Sequence, residues 1–138
     1  MVNFDFYSNN HPFSNFYKSD MLINDEVWST VEHYFQAQKF DKSSKEYKQI
    51  LENESPAFAK KIGRGGTLRK DWESVKEEIM YTALCEKFKN PEFKKYLIDT
   101  GDFIIRETSP WDYYWGTGKN GQGKNRLGIL LMKIRSEI

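Results

Sequence analysis

The chain has 138 residues, of which 16% are aromatic, and its 21 lysines and arginines nearly balance 20 aspartates and glutamates to leave a formal net charge of +1. This length fits one domain over residues 1–138, and the charge balance argues against a protein that coats a polyanion, which needs a large basic excess. The apolar runs are too short for a membrane span, the N-terminus lacks a secretory signal pattern, and the single cysteine cannot form an internal disulfide, so we expect a cytoplasmic protein.

The first 28 residues are predicted to form short extended segments, with a hairpin around an Asn24-Asp25 turn. The pattern then changes to that of a helix of about eleven residues, TVEHYFQAQKF, which runs from residue 30 to residue 40 without Gly or Pro. Ser29 and Glu32 have the spacing of a capping box at its start.

Further elements follow in the second and third quarters of the chain. Helices are predicted from Ser44 to Asn53, from Ser55-Pro56 to Gly63, from Asp71 to Lys89 and from Asn90-Pro91 to Gly101. A short strand, FIIRE, and a long loop from residue 109 to residue 124 precede a final helix that Asn125 caps and whose apolar face is Leu127, Leu130, Leu131 and Ile134. The fold class is therefore α+β, mainly α-helical, with a small N-terminal β hairpin or sheet.

One helix carries a candidate catalytic pair. Glu32, Gln36 and Lys39 lie at i, i+4 and i+7 and share a face of a continuous helix. A carboxylate and an amine that converge on one pocket can serve as general acid or base and as nucleophile. The same pattern also fits an exposed polar stripe on a packed helix, and the spacing does not choose between them.

Two other features are candidates for a functional site, a glycine-rich basic segment and His33. IGRGGTLRKDWE places Arg64 and Arg69 around three glycines, which suits either a phosphate site or a helix end followed by solvated arginines. His33 has no second His or Cys at ligand spacing, so we expect a hydrogen-bonded packing residue and no metal site.

The loop SPWDYYWGTGKNGQGKN is the most unusual segment. Trp111, Tyr113, Tyr114 and Trp115 surround Asp112, and a glycine-rich run follows. Rings offer stacking surfaces for a planar base and glycines allow close backbone approach, so we assign these rings largely to a pocket wall. A loop that only covers the core is the alternative.

These segments together resemble a known family. The blocks PFSNFY, WSTVEHYFQAQKF, IGR, RKDW, ETSPWDYYWGTG and GKNRLGILLM occur between about residue 12 and residue 135. In this order they are similar to the YbiA-like, or NADAR, superfamily. The resemblance implies a mainly helical α+β enzyme that hydrolyses N-glycosidic bonds.

Two activities follow from the resemblance. One cleaves ribosylamino-pyrimidine phosphates of the riboflavin pathway and limits metabolite damage, and the other removes ADP-ribose from modified guanine, in some members as an antitoxin. Both substrates join C1 of a 5′-phosphorylated ribose to an exocyclic nitrogen of a heterocycle. No cofactor, no metal, no membrane and no obligate protein partner is implied. The alternative function is a non-catalytic module that binds ADP-ribose or a nucleotide.

The resemblance also implies roles for particular residues. Glu32 matches the acidic catalytic residue, and Lys39 matches a lysine that attacks C1 of the ring-opened sugar to form a Schiff base. Asp112 is a second candidate acid. The expected substrate contacts are Asn15, Arg64, Trp115, Gly116, Gly118 and Asn125.

Lys39 must be neutral to act as a nucleophile. Its neighbour Phe40 and an aromatic-lined pocket would lower its pKa by desolvation. A tight pair with Glu32 would instead keep Lys39 charged and favour direct attack by water, and the sequence leaves both routes open.

Overall fold

In a computed structural model, described here for residues 2–138, the chain forms six helices and four short strands. The prediction of a mainly helical α+β fold is confirmed. Its contacts separate two units, Asn15–Lys87 and Met1–Ser14 with Phe88–Ile138, and each unit is described by itself. Across residues 2–138, no helix is both long enough and apolar enough to cross a bilayer.

The unit Asn15–Lys87 begins with the predicted hairpin. Strands β2 (Met21–Ile23) and β3 (Glu26–Trp28) pair antiparallel, and the two turn residues between them have φ values of 53° and 66°. Asn and Asp tolerate this left-handed conformation, which the tightest hairpins require. The hairpin prediction is therefore confirmed.

Helix α1 (Val31–Ala37) is shorter than predicted, and all of its residues are buried. Thr30, not Ser29, is its N-cap, because the Thr30 hydroxyl accepts the amide hydrogen of His33 at 3.1 Å. The predicted capping box is wrong for this reason. The exposed polar stripe is also excluded, since Glu32 is only 7% exposed.

Three further helices surround α1 in this unit. They are α2 (Lys45–Glu52), α3 (Pro56–Gly65) and α4 (Trp72–Lys87), and α1 packs against all three. The start of α3 at Ser55-Pro56 is confirmed, but the prediction that Gly63 ends it is wrong. Gly63 lies inside α3, which continues to Gly65.

The unit formed by Met1–Ser14 and Phe88–Ile138 contains a two-stranded parallel sheet. Strand β1 (Asn3–Phe6) pairs with β4 (Ile104–Glu107), and helix α6 (Arg126–Glu137) packs against β4. Helix α5 (Pro91–Asp99) begins at the N-cap Asn90 as predicted. The four apolar residues predicted for the inner face of α6 are buried.

Candidate active site

Glu32 is a carboxylate held in the interior of the unit Asn15–Lys87. Its backbone amide donates to the carbonyl oxygen of Asn15 at 3.0 Å, and its Oε2 accepts a hydrogen bond from Gln36 Nε2 at 2.7 Å. The i, i+4 spacing on α1 makes this contact possible. A buried carboxylate must be hydrogen-bonded to be tolerated, and Gln36 orients this one.

Gln36 is the residue that sequence reasoning placed on the catalytic face without giving it a role. Its carboxamide lies against the Cα of Gly63, where a Cβ would collide with Oε1. Its Nε2 must face Glu32, because a carboxylate only accepts hydrogen bonds. Gln36 Oε1 is consequently buried with no hydrogen-bond partner among residues 2–138.

Lys39 does not lie on the same helix as Glu32, which corrects the sequence prediction. Helix α1 ends at Ala37, and the Lys39 amide donates to the Gln36 carbonyl at 3.2 Å in a tighter turn. The Lys39 carbonyl accepts from the amide of Arg69 at 3.1 Å. This bond fixes the position of the lysine after the helix has ended.

The Lys39 amine lies over two aromatic rings. Its Nζ is 5.7 Å from the ring centre of Phe35 and 5.5 Å from that of Trp72. These rings, rather than the predicted Phe40, provide its apolar surroundings, because the Phe40 ring packs on Gly66.

Burial lowers the pKa of Lys39, and the charges of Arg64 and Lys60 lower it further, while the charge of Glu32 opposes this. Within residues 2–138, Lys39 forms no ion pair at 4.0 Å or less with Glu32 or with any other carboxylate. The structure therefore contains no tight Glu32–Lys39 ion pair, and burial shifts the pKa of Lys39 toward the neutral amine.

The remaining predicted residues of this unit are Asn15 and Arg64. The Asn15 side chain donates from Nδ2 to the sulfur of Met80 at 3.6 Å, and its Oδ1 is buried without a partner in the described part of the chain. Arg64 is exposed in the last turn of α3, one residue after Gly63. The structure thus brings Asn15, Glu32, Lys39 and Arg64 together in one unit.

His33 and Arg69 have structural partners. The His33 ring contacts Thr30 Oγ1 at 2.8 Å and the Asn53 carbonyl at 2.7 Å, which confirms the packing interpretation. Arg69 forms a two-bond ion pair with Asp71, at 2.6 and 3.0 Å. Of the two arginines around the glycines, only Arg64 remains available to an anion.

Asp112 organises the aromatic loop in the other unit. Its Oδ1 accepts hydrogen bonds from the amides of Tyr114 at 3.0 Å and Trp115 at 2.8 Å. Such a turn holds the loop by its own side chain. One carboxylate oxygen of Asp112 therefore has a structural task, whatever the second one does.

Gly116 and Gly118 are glycines for steric reasons. A Cβ on Gly116 would collide with the Glu107 carboxylate, and a Cβ on Gly118 would collide with the Tyr113 ring. Gly118 also has a φ of 71°, which side chains rarely adopt. Both glycines allow the loop to fold tightly onto itself.

Asn125 is at the N-cap position of α6 but does not cap it with its side chain, so this part of the prediction is wrong. Its Oδ1 accepts from the Glu107 amide at 3.0 Å, and its Nδ2 donates to the Ile105 carbonyl at 2.9 Å. The backbone carbonyls of residues 114–116 accept the amides of residues 125–127 instead. The side chain thus joins β4 to the start of α6.

The aromatic residues of the loop divide into two groups. Trp115 packs edge-on against Tyr114 with ring centres 4.9 Å apart, and the Lys124 amine lies 5.4 Å from the Tyr114 ring centre. Trp111 is 81% exposed and Tyr113 is 50% exposed. The latter two rings face solvent, and their assignment to a pocket wall stays a prediction.

The cavities of the unit Asn15–Lys87 include two that differ in charge. The larger, about 650 Å³, has three basic side chains (Lys39, Lys42, Arg69) and three acidic ones (Glu26, Asp41, Glu46). The smaller, about 420 Å³, is lined by Phe16, Ala57, Lys60, Lys61, Arg64 and Gly65. Only the smaller one has an excess of positive charge. Throughout residues 2–138, no three His, Cys, Asp or Glu side chains come together in a group that could hold a metal ion.

Comparison with known proteins identifies the family. The sequence model of the protein family described as the NADAR domain matches residues 5–138. The chain belongs to the NADAR family. The N-glycosidase YbiA of Shigella flexneri is 45% identical over 130 residues, which cover 91% of this chain and 80% of that protein.

Two further NADAR relatives extend the comparison. The riboflavin biosynthesis protein PYRR of Zea mays is 39% identical over 91% of this chain and 23% of its own length. The NMR structure of E. coli YbiA matches with a TM-score of 0.90 and 42% identity over 99% of this chain and 84% of that chain. These relationships confirm the predicted family and fold, and the names of the YbiA relatives support an enzyme of the N-glycosidase class.

Proposed function

We propose that this chain hydrolyses the bond between C1 of a 5′-phosphorylated ribose and an exocyclic nitrogen of a heterocycle. The observation that carries the proposal is that one unit contains both a buried, oriented carboxylate on Glu32 and a partly desolvated amine on Lys39. Within residues 2–138 Lys39 forms no ion pair with Glu32, so its amine can meet the substrate. The substrate is either a ribosylamino-pyrimidine phosphate or an ADP-ribosylated guanine.

In this mechanism the lysine acts on the ring-opened sugar. The neutral amine of Lys39 adds to C1, which is bonded to the departing nitrogen through an imine, and the heterocyclic amine leaves as a Schiff base forms on Lys39. Water then hydrolyses that Schiff base, restoring the amine and releasing the sugar aldehyde. Glu32 transfers the protons that the two nitrogen atoms gain and lose.

Other groups of the same unit suit the sugar phosphate. Arg64 supplies a guanidinium, which forms charge-assisted hydrogen bonds with phosphate oxygens. The buried Oδ1 of Asn15 has no hydrogen-bond donor among residues 2–138, and a sugar hydroxyl would provide one. Asp112, Trp115, Gly116, Gly118 and Asn125 stay proposed substrate-site residues of the loop and of the start of α6.

The decisive experiment offers the purified chain both substrates. Release of ribose 5-phosphate from the pyrimidine intermediate and of ADP-ribose from modified guanosine is followed by chromatography. Glu32→Gln should abolish turnover while circular dichroism shows an intact fold. Wild-type turnover by that variant would remove the catalytic assignment.

A second experiment tests the Schiff base itself. Borohydride added during turnover should reduce the imine and leave a sugar adduct on Lys39, which peptide mass spectrometry locates. The Lys39→Arg variant is the matched control, because it retains a positive charge but cannot form the imine. If turnover proceeds with no adduct, water attacks directly and Lys39 has another role.

A purely binding function is the competing interpretation. Such a module would bind ADP-ribose through Arg64 and would need neither the carboxylate of Glu32 nor the amine of Lys39. Binding without hydrolysis of either substrate would establish it.

A further inference from the structure

The smaller cavity, which we call the α3 cleft, is a site with an unusual charge. Three of its six lining residues (Lys60, Lys61 and Arg64) are basic, and none is acidic. Its volume of about 420 Å³ lies within the roughly 300–1,000 Å³ of small-molecule sites. The cleft therefore has both the charge and the size for an anionic group larger than a single phosphate.

Lys60 and Arg64 lie one helical turn apart on α3 and point their charges along one face. Neither forms an ion pair with any carboxylate in the described part of the chain. The Lys60 amine instead lies 5.8 Å from the ring centre of Phe16. Like charges at this spacing repel each other, and an anion bound between Lys60 and Arg64 would offset this repulsion because both side chains attract it.

The α3 cleft is also electrostatically connected to the proposed catalytic lysine. The charges of Arg64 and Lys60 both lower the pKa of Lys39, and the charge of Glu32 opposes them. Helix α3 packs directly on α1, with Gly63 against Gln36. A substrate whose C1 meets Lys39 can therefore extend its 5′ phosphates toward α3.

We propose that the α3 cleft receives the second phosphoryl group of a diphosphate-linked ribose, and that Lys60 is the residue that selects it over a ribose monophosphate. This inference rests on the proposed function and extends it, because it assigns Arg64 to the first phosphate and Lys60 to the second. The substrate class is then an ADP-ribosyl N-glycoside rather than a ribose 5-phosphate N-glycoside.

Product binding tests the inference without depending on catalysis. Isothermal titration calorimetry measures the Kd of the full chain for ADP-ribose and for ribose 5-phosphate. Lys60→Met removes the charge and keeps an apolar stem over Phe16. We expect it to weaken ADP-ribose binding roughly ten-fold, the effect of one lost charge-assisted hydrogen bond, and to change ribose 5-phosphate binding less than about two-fold.

The control is Lys48→Met, which removes an exposed lysine of α2 outside the α3 cleft and should change neither Kd. Unchanged ADP-ribose affinity in Lys60→Met, or an equal loss for both ligands, would overturn the inference. Selective binding that depends on Lys60 in a chain that hydrolyses nothing would support the α3 cleft and reject the proposed function. Hydrolysis without selectivity that depends on Lys60 would support the proposed function and reject the role of the α3 cleft.

Discussion

The carboxamide of Gln36 occupies the space in which a side chain at residue 63 would stand, so α3 approaches α1 through the bare backbone of Gly63. The same carboxamide donates to Glu32 Oε2 at 2.7 Å. Gly63 therefore acts on the proposed catalytic carboxylate through one intermediate side chain. This relationship explains why a glycine lies in the interior of a helix, where it costs about 0.5–1 kcal/mol relative to alanine.

Gly63→Ala should impair catalysis more than folding. The added methyl group must displace the Gln36 carboxamide, and a shift of about 1 Å in a catalytic group can cost roughly 100-fold in rate. The measurement is kcat alongside the thermal midpoint of unfolding. Gly65→Ala is the matched control for kcat, because a Cβ there meets nothing within 4 Å. Since Gly65 also lines the α3 cleft, kcat is compared at saturating substrate, where weaker binding does not lower it. Equal kcat in the two variants would show that Gln36 does not orient Glu32.

The rate should depend on the ionisation of Lys39. Desolvation, aided by Arg64 and Lys60, holds the pKa of Lys39 below the ordinary 10.5. Since the neutral amine is the nucleophile, kcat should rise with pH through an apparent pKa below that value. Lys60→Met removes a repelling charge, so the pKa should rise and the rising limb should move to higher pH. If the rising limb of kcat keeps the same apparent pKa in Lys60→Met, the ionisation of another group controls the rate.

Lys87 should make stability depend on pH. It is buried, and desolvation lowers its pKa from 10.5 to about 7. Between these values the unfolded chain binds a proton that the folded chain does not, so the free energy of unfolding should increase as pH rises. Below about pH 7 both states are protonated, and the full penalty of the buried charge applies.

The comparison is between Lys87→Met and the parent chain, by urea unfolding at several pH values in that window. The free energy of unfolding of Lys87→Met should exceed that of the parent chain, and this difference should decrease as pH increases. Lys48→Met, in an exposed lysine, should follow the parent at every pH. A constant difference between Lys87→Met and the parent would show that Lys87 keeps its proton when folded.

Asn125 should matter for stability through two hydrogen bonds. Asn125→Ala removes the bonds to Glu107 and Ile105, and each buried group left without a partner costs about 1–3 kcal/mol. Asn125→Gly loses the same bonds but relieves the backbone, whose φ is 51°. Glycine should therefore be less destabilising than alanine in urea unfolding. If both variants keep parental stability but raise KM, Asn125 serves the substrate rather than the fold.

Local features were predictable from the sequence because neighbouring residues produce them. The left-handed turn at Asn24-Asp25, the start of α3 at Ser55-Pro56 and the start of α5 at Asn90 all follow from the preferences of these residues. The ordered motifs were enough to indicate the NADAR family, because they extend along nearly the whole chain.

Only the tertiary structure decided how those motifs are used. Helix α1 ends at Ala37, and a hydrogen bond from Arg69, thirty residues away, sets the position of Lys39. Burial against neighbouring helices, which no local pattern reveals, leaves Glu32 only 7% exposed and lowers the pKa of Lys39. The sequence by itself thus determined which chemical groups are present and the local spacing of Glu32 and Gln36, while contacts between distant segments determined the burial of these groups and the lowered pKa of Lys39.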